Sequence, residues 1–414
     1  MSFALPDALF SEETRREMAA LPPVDVVVGI PTYRNAATVG HVARMVEAGL
    51  REYFPDQSAL VVLSDGASDD GTVDAALAAL SPAGPHRLAL SYAGLAGKGS
   101  AFRAIFEIVS ELKPAAAAVF DADLRSISPG WIERMIRPVL EGAGLITPLY
   151  VRDRYDATIT NSIAFPLTAA LYGLSIRQPI GGDFGFSSEL AANWASKDVW
   201  DSDVAQFGVD IWMTTVAVCE GFEVAQSQLG AKVHDAKDPA THLGPMFRQV
   251  VGSLFALAGK YPQRWLHVED VRDIAKYGGA MLSAPEPVVI DEPALIDGFH
   301  EGVPVFDGLW HEVLTDATYA GVRAAVADGA LAADLWVQVV YDYLIAHNGQ
   351  GVEPGHLMES MIPLYFARTA TFVEETRDLD QAATEEQIAS YVDLFLSEKD
   401  YLLRRWYLQG NAAS

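Results

Sequence analysis

The chain has 414 residues, half of them hydrophobic, and a formal net charge of −26 from 29 Lys and Arg against 55 Asp and Glu. A field of that sign repels nucleic acid and anionic membrane surfaces, so the expected partners are small molecules or other proteins. A single cysteine, Cys219, excludes an intrachain disulfide; with an acidic N-terminal stretch unlike a signal peptide and no run near the roughly 20 apolar residues of a membrane span, the expectation is a cytoplasmic protein of about two domains.

From Asp25 the pattern alternates. The β-branched run DVVVGI predicts a strand, and Val39, Val42, Met45, Val46 and Leu50 follow at helical spacing with Asn35 as the expected N-cap. A second strand, ALVVLSDG, leads through Asp69 and Asp70, expected helix caps, into TVDAALAAL. A third, RLALSY, leads through the glycine-rich LAGKGSA into SAFRAIFEIVSEL, and AAVFDADLRS holds a fourth strand that ends in Asp121 and Asp123. Strands alternating with helices imply a mostly parallel sheet covered on both faces, with ligands at the carboxyl ends of the strands. Beyond about Asp235 long amphipathic segments dominate, among them LAADLWVQVVYDYLIAHN and EEQIASYVDLFLSEKDYLLRRWYL, so this part is expected to be helical. Trp336 and Tyr365, read as exposed aromatics there, make a homodimer a reasonable expectation.

The acidic pair at the end of the fourth strand carries the chemistry. Two hard oxygen ligands suit Mg²⁺ or Mn²⁺, which also grips phosphate oxygens. A bare carboxylate about 4 Å from one phosphate charge costs on the order of 4 kcal/mol at an effective dielectric near 20, so without a cation the pair expels a diphosphate. In LAGKGSA, Gly97 and Gly99 permit close backbone approach and Lys98 offers a point charge just before a helix starts. The spacing is not that of a Walker loop, and no glycine-rich motif follows the first strand.

The blocks IPTYRNAATV, LSDGASDDGT, GKGSAFRAI and VFDADL, in that order, resemble the nucleotide-sugar half of a GT-A glycosyltransferase. RDRYDATIT, QPIGGDFGFS, FGVDIWMTT and GAKVHDAKD narrow the resemblance to mannosylglycerate synthase and the related glucosylglycerate and glucosyl-3-phosphoglycerate synthases, over roughly residues 24 to 260. The resemblance implies an α/β GT-A domain over 1–260, with a donor half at about 24–125 and an acceptor half at about 126–260, and a mainly α-helical domain over 261–414. It implies a metal held by Asp123 and His234 with Asp121 in support. It implies a GDP- or UDP-hexose bound by Pro31, Tyr33, Asn35, Asp65, Lys98, Asp121, Ala122 and Gly182. Asp210 is expected near the donor sugar, and Asp183 at the sugar hydroxyls or, in an inverting reaction, as the base. Arg152, Asp156 and Thr160, four apart and expected on one side of a helical turn, are implied to hold a small anionic acceptor such as D-glycerate, with Arg154 an alternative to Arg152.

Overall fold

The computed structural model describes residues 9–233, 239–279 and 284–412. The chain divides into two compact units. One comprises Met1–Val151, Ile180–Lys237 and Ile274–Pro285, and the other Arg152–Pro179, Asp238–Asp273 and Glu286–Ser414. The boundary expected at residue 260 is therefore corrected. The helices Phe165–Tyr172 and Pro239–Lys260 pack against the helices Gln381–Ser397 and Pro354–Thr376 of the C-terminal part, so apolar contact rather than sequence order defines the second unit.

Among the described residues the first unit is built on eight strands: β1 (Val26–Thr32), β2 (Ala59–Asp65), β3 (His86–Ser91), β4 (Ala116–Val119), β5 (Leu145–Val151), β6 (Phe184–Phe186), β7 (Val224–Ala231) and β8 (Lys276–Tyr277). They form one sheet in the order β8-β7-β5-β6-β4-β1-β2-β3. Only β6 runs antiparallel to its neighbours, β4 and β5, so the expected α/β architecture with a mostly parallel sheet is present. Val26, Val27, Val28 and Ile30 of β1 are all fully buried, as a strand with helices on both faces requires. β1 pairs with β2 on one side and β4 on the other, and the chain runs out through β2 to β3 before returning to β4. That reversal opens a crevice at the carboxyl ends of β1 and β4, where such sheets take ligands. Across it the Thr38 hydroxyl donates to the Ala122 carbonyl at 2.8 Å.

Local details around the crevice differ from expectation. The helix after β1 spans Val39–Tyr53 with Thr38 at its N-cap, not Asn35. The Asn35 side-chain oxygen instead accepts the Tyr33 N–H at 2.9 Å, folding the loop back on itself. Asp70 accepts the Thr72 N–H at the start of the helix Thr72–Ala79, whereas Asp69 pairs with Arg34 at 3.1 Å and caps nothing.

The second unit is helical, with Pro239–Lys260, Glu292–Val313, Asp316–Asp328, Ala333–His347 and Pro354–Thr376 its longer helices before the C-terminal pair. The segment with one continuous apolar pattern near the C-terminus is two helices, Gln381–Ser397 and Lys399–Ala412, broken at Glu398. Trp336 and Tyr365 are 2% and 0% exposed, which corrects their reading as surface aromatics and removes the premise for a homodimer. The Trp336 indole N–H donates to the Ser162 carbonyl at 3.0 Å, so its polar edge is satisfied inside the core. Among the described residues no helix is long and apolar enough to cross a membrane.

Candidate functional site

β4 is Ala116, Ala117, Ala118 and Val119, all fully buried, and small side chains let helices press on it from both faces. Just past its end, Asp121 stands between two ammonium groups. Lys98, the first residue of the helix Lys98–Leu112, places Nζ 2.9 Å from Asp121 Oδ1 and 3.3 Å from Asp210 Oδ2. Lys232, just past β7, places Nζ 3.1 Å from Asp121 Oδ2, 3.2 Å from Asp183 Oδ2 and 2.9 Å from the Gly181 carbonyl. Asp183 is fully buried; its Oδ1 accepts the Asp121 N–H at 2.7 Å and its Oδ2 also accepts the Tyr150 hydroxyl. The Tyr150 ring lies under the Lys232 ammonium, 5.1 Å from ring centre to Nζ.

Two ammonium groups thus converge on one carboxylate, and Lys232 is not among the candidates that the sequence offers. Its only sequence signal is its place in GAKVHD, two residues before His234. Burial pushes the Asp183 and Asp210 carboxyls above the usual carboxylate range, against the opposing pull of Lys232 on the first and Lys98 on the second. Burial works against the Lys98 charge as well, but Asp121 and Asp210 outweigh it and hold the ammonium above its ordinary value. Lys98 therefore stays charged at neutral pH.

The glycines serve the protein's own packing. A Cβ on Gly99 would sit 1.8 Å from the Val204 carbonyl oxygen, and one on Gly97 would sit 2.4 Å from that of Ala205. These residues admit the Val204–Gln206 loop, and the Gly99 N–H donates to the Gln206 carbonyl at 3.2 Å. Gly182 has φ +90°, and a Cβ there would meet Asp121 Oδ2 at 2.3 Å, so this glycine makes room for the Asp121–Lys232 pair. Asp183 is enclosed, with Oδ1 accepting the Asp121 N–H and Oδ2 meeting the Tyr150 hydroxyl and the Lys232 ammonium. It positions Asp121 and Lys232.

Asp123 differs from its neighbour. It is half-buried and has no hydrogen-bond or ion-pair partner among the described residues. A hard, uncommitted oxygen donor beside a compensated one fits a divalent cation. His234 lies outside the described residues, and among those described no group of three His, Cys, Asp or Glu is placed to hold a metal. Asp65, 3% exposed, accepts from the Thr32 hydroxyl at 2.8 Å and from the Ser68 hydroxyl and N–H, both at 2.7 Å. Its first task is to close the loop after β2. Pro31 pairs with Ser64 in the sheet, and Tyr33 presents its ring to solvent, 59% exposed, at the crevice mouth.

A recess in the second unit, about 210 Å³ of empty space that includes open solvent, is lined by Arg152, Asp153, Asp156, Thr160, Arg177 and Glu385, among others. Arg152, Asp156 and Thr160 do come together, though not on a helix as expected. Residues 154–157 form a turn closed by the Asp156 N–H to the Asp153 carbonyl at 3.0 Å, with Ala157 at φ +68°, and Thr160 opens a π-helical turn, Thr160–Ala164. Arg152 Nε bonds Asp156 Oδ2 at 2.8 Å. Arg154 is turned to the Thr376 carbonyl, so of these two arginines it is Arg152 that lines the cavity. The second cation there, Arg177, and its partner Glu385 have no motif to announce them.

No protein-family model matches the chain, and no curated protein does. Solved structures are similar. Glucosyl-3-phosphoglycerate synthase from Mycobacterium tuberculosis, in complex with Mn²⁺, UDP and phosphoglyceric acid, is 24% identical over 60% of this chain and 82% of that one, with a TM-score of 0.46. A structure described as a mycobacterial protein is 25% identical over 60% and 78%, with a TM-score of 0.45. The same Mycobacterium tuberculosis enzyme with Mn²⁺, UDP-glucose and glycerol 3-phosphate is 22% identical over 62% and 87%, with a TM-score of 0.44.

Proposed function

We propose that the protein is a metal-dependent glycosyltransferase that moves a hexose, mannose or glucose, from a GDP- or UDP-sugar to a small anionic hydroxy acid, D-glycerate or 3-phosphoglycerate. The observation that carries this reading is the state of the acidic pair. At the crevice of a mostly parallel sheet, Asp121 is paired with Lys98 and Lys232, while Asp123 has no partner among the described residues. A purely structural pair has no need of that asymmetry. Asp123, with His234, would hold Mg²⁺ or Mn²⁺, which when bound supplies a Lewis acid for the charge of a departing diphosphate.

The chain's own residues do the rest. Lys98 and Lys232 keep Asp121 in one orientation and offset the charge of Asp121, Asp183 and Asp210 in a site that must accept an anion. Asp210 holds Lys98 from the far side, and Asp183 with Tyr150 holds Lys232, so neither ammonium reorganises when a diphosphate arrives. Tyr33 offers an exposed ring on which a base can stack. Arg152, Asp156 and Thr160 provide a guanidinium for an acceptor carboxylate and oxygen partners for its hydroxyls. With acceptor and donor held, catalysis is placement and charge compensation, and same-face attack with retained anomeric configuration needs no protein nucleophile. The lone cysteine suits a reducing, cytoplasmic setting.

The test is a donor-by-acceptor matrix with and without Mn²⁺ or Mg²⁺, read by NMR of the product. Metal-dependent transfer to a glycerate with unchanged anomeric configuration is expected. Nucleotide-sugar binding without turnover on any acceptor would make the protein a sensor and overturn the reading.

A further inference from the structure

Resting on the acceptor reading above, we infer that the Arg152 cavity selects a singly charged hydroxy acid over its phosphorylated form, and that Glu385 sets this selectivity. The cavity wall carries two guanidiniums, Arg152 and Arg177, and three carboxylates, Asp153, Asp156 and Glu385. Each guanidinium has its own carboxylate: Arg152 Nε bonds Asp156 Oδ2 at 2.8 Å, and Arg177 bonds Glu385 through two contacts, Nε to Oε2 at 2.9 Å and Nη2 to Oε1 at 3.1 Å.

The Arg177–Glu385 pair is the fork-to-fork arrangement that arginine otherwise makes with an incoming carboxylate or phosphate. The face of the guanidinium best shaped for a phosphoryl group is therefore already filled by the protein. Arg177 is fixed from two further directions. Its Nη2 donates to Asn161 Oδ1 at 2.9 Å, and its guanidinium carbon lies 5.2 Å above the Phe165 ring. It cannot swing away from Glu385 to meet a second anion without losing both. A monoanion takes its place at Arg152 beside the hydroxyl partners Asp156 and Thr160. A phosphoryl group adds about two more negative charges to a wall that already has one carboxylate in excess, and finds the Arg177 fork occupied.

Glu385 is well suited to this part. Its side chain is 45% exposed against 15% for Arg177, so it is held over the arginine from the solvent side rather than buried as packing. It comes from the helix Gln381–Ser397, and Gln381 of the same helix donates to the Arg152 carbonyl at 3.1 Å, so one helix touches both cationic residues.

The experiment is calorimetric titration of the full chain with D-glycerate and with 3-phosphoglycerate, with and without UDP and Mg²⁺, for the wild type, Glu385→Gln and Glu385→Asp. The wild type is expected to bind D-glycerate at least about tenfold more tightly. Glu385→Gln, which keeps shape and loses charge, is expected to move the affinity ratio about tenfold toward 3-phosphoglycerate, and Glu385→Asp to keep the wild-type preference. A wild type that prefers the phosphorylated acid, a ratio unmoved by Glu385→Gln, or binding of neither acid overturns the inference. Titrations that behave as expected in a protein that transfers no sugar overturn the proposed reaction and leave the selectivity of the cavity standing.

Discussion

Replacing Lys232 by Met tests the electrostatics of the site most directly. Lys232 is 7% exposed and is the ammonium shared by Asp121, 3.1 Å away, and Asp183, 3.2 Å away and fully buried. Met fills the aliphatic volume but leaves the Asp183 carboxylate with only the Asp121 N–H and the Tyr150 hydroxyl, and the Gly181 carbonyl without its donor. Removing one partner of a buried pair costs about 3–5 kcal/mol, because the other charge stays buried and uncompensated. The cost depends on pH with a definite sign. The Asp183 carboxyl already titrates above its ordinary value through burial, despite Lys232, and without Lys232 it moves further up. A carboxyl whose folded pKa lies above its unfolded one favours folding below the unfolded pKa, and that advantage is lost as pH rises through the folded pKa. Urea denaturation followed by tryptophan fluorescence at pH 5 and pH 8 should therefore show a larger loss at pH 8. Adding Asp183→Asn should restore a substantial part of it, because the two residues share one interaction. A loss below about 1 kcal/mol at pH 8, or equal losses with and without Asp183→Asn, would refute the claim that Lys232 compensates a buried charge.

Asp123→Asn should weaken metal-dependent binding of UDP by about a hundredfold or more, since several kcal/mol of charge compensation goes with the cation, while leaving the urea midpoint unchanged; calorimetry with Mn²⁺ present and absent checks it. Gly99→Ala drives a methyl group into the Val204 carbonyl and should cost roughly 1–3 kcal/mol, seen as a lowered melting temperature, together with weaker donor binding because Lys98 is its chain neighbour. Lys399, 4% exposed, donates to the Ala170 and Val268 carbonyls at 2.9 and 2.7 Å, and burial lowers its pKa from 10.5 to about 8. Between those values the unfolded chain binds the extra proton, so stability should rise with pH across that window, and Lys399→Met should flatten the rise.

Much of the site's framework follows from local sequence. β1, β2 and β4 are short apolar runs whose burial on both faces is dictated by composition, and each ends where polar residues begin. That pattern alone sets Asp65, Asp121 and Asp123 at strand ends. Arg152, Asp156 and Thr160 are legible as a set because they lie within nine residues of one another, although the turn and π-helical geometry that gathers them is not. The exposure of an aromatic within a long amphipathic pattern is not legible either: the stripe that holds Trp336 or Tyr365 does not say how many helices cover it.

What the chain does not disclose along its length is which charges share a carboxylate. Lys232 reaches Asp121 across 111 residues and Asp183 across 49, and Arg177 meets Glu385 across 208. No periodicity links such positions, because hydrogen bonding and ion pairing act over a few ångströms in space and are blind to separation along the chain. Only the folding of β4, β6 and β7 into one sheet brought Lys232 to Asp121 and left Asp123 without a partner among the described residues. The residue types that can do this chemistry were written in the sequence, and tertiary packing decided which carboxylates were already spoken for.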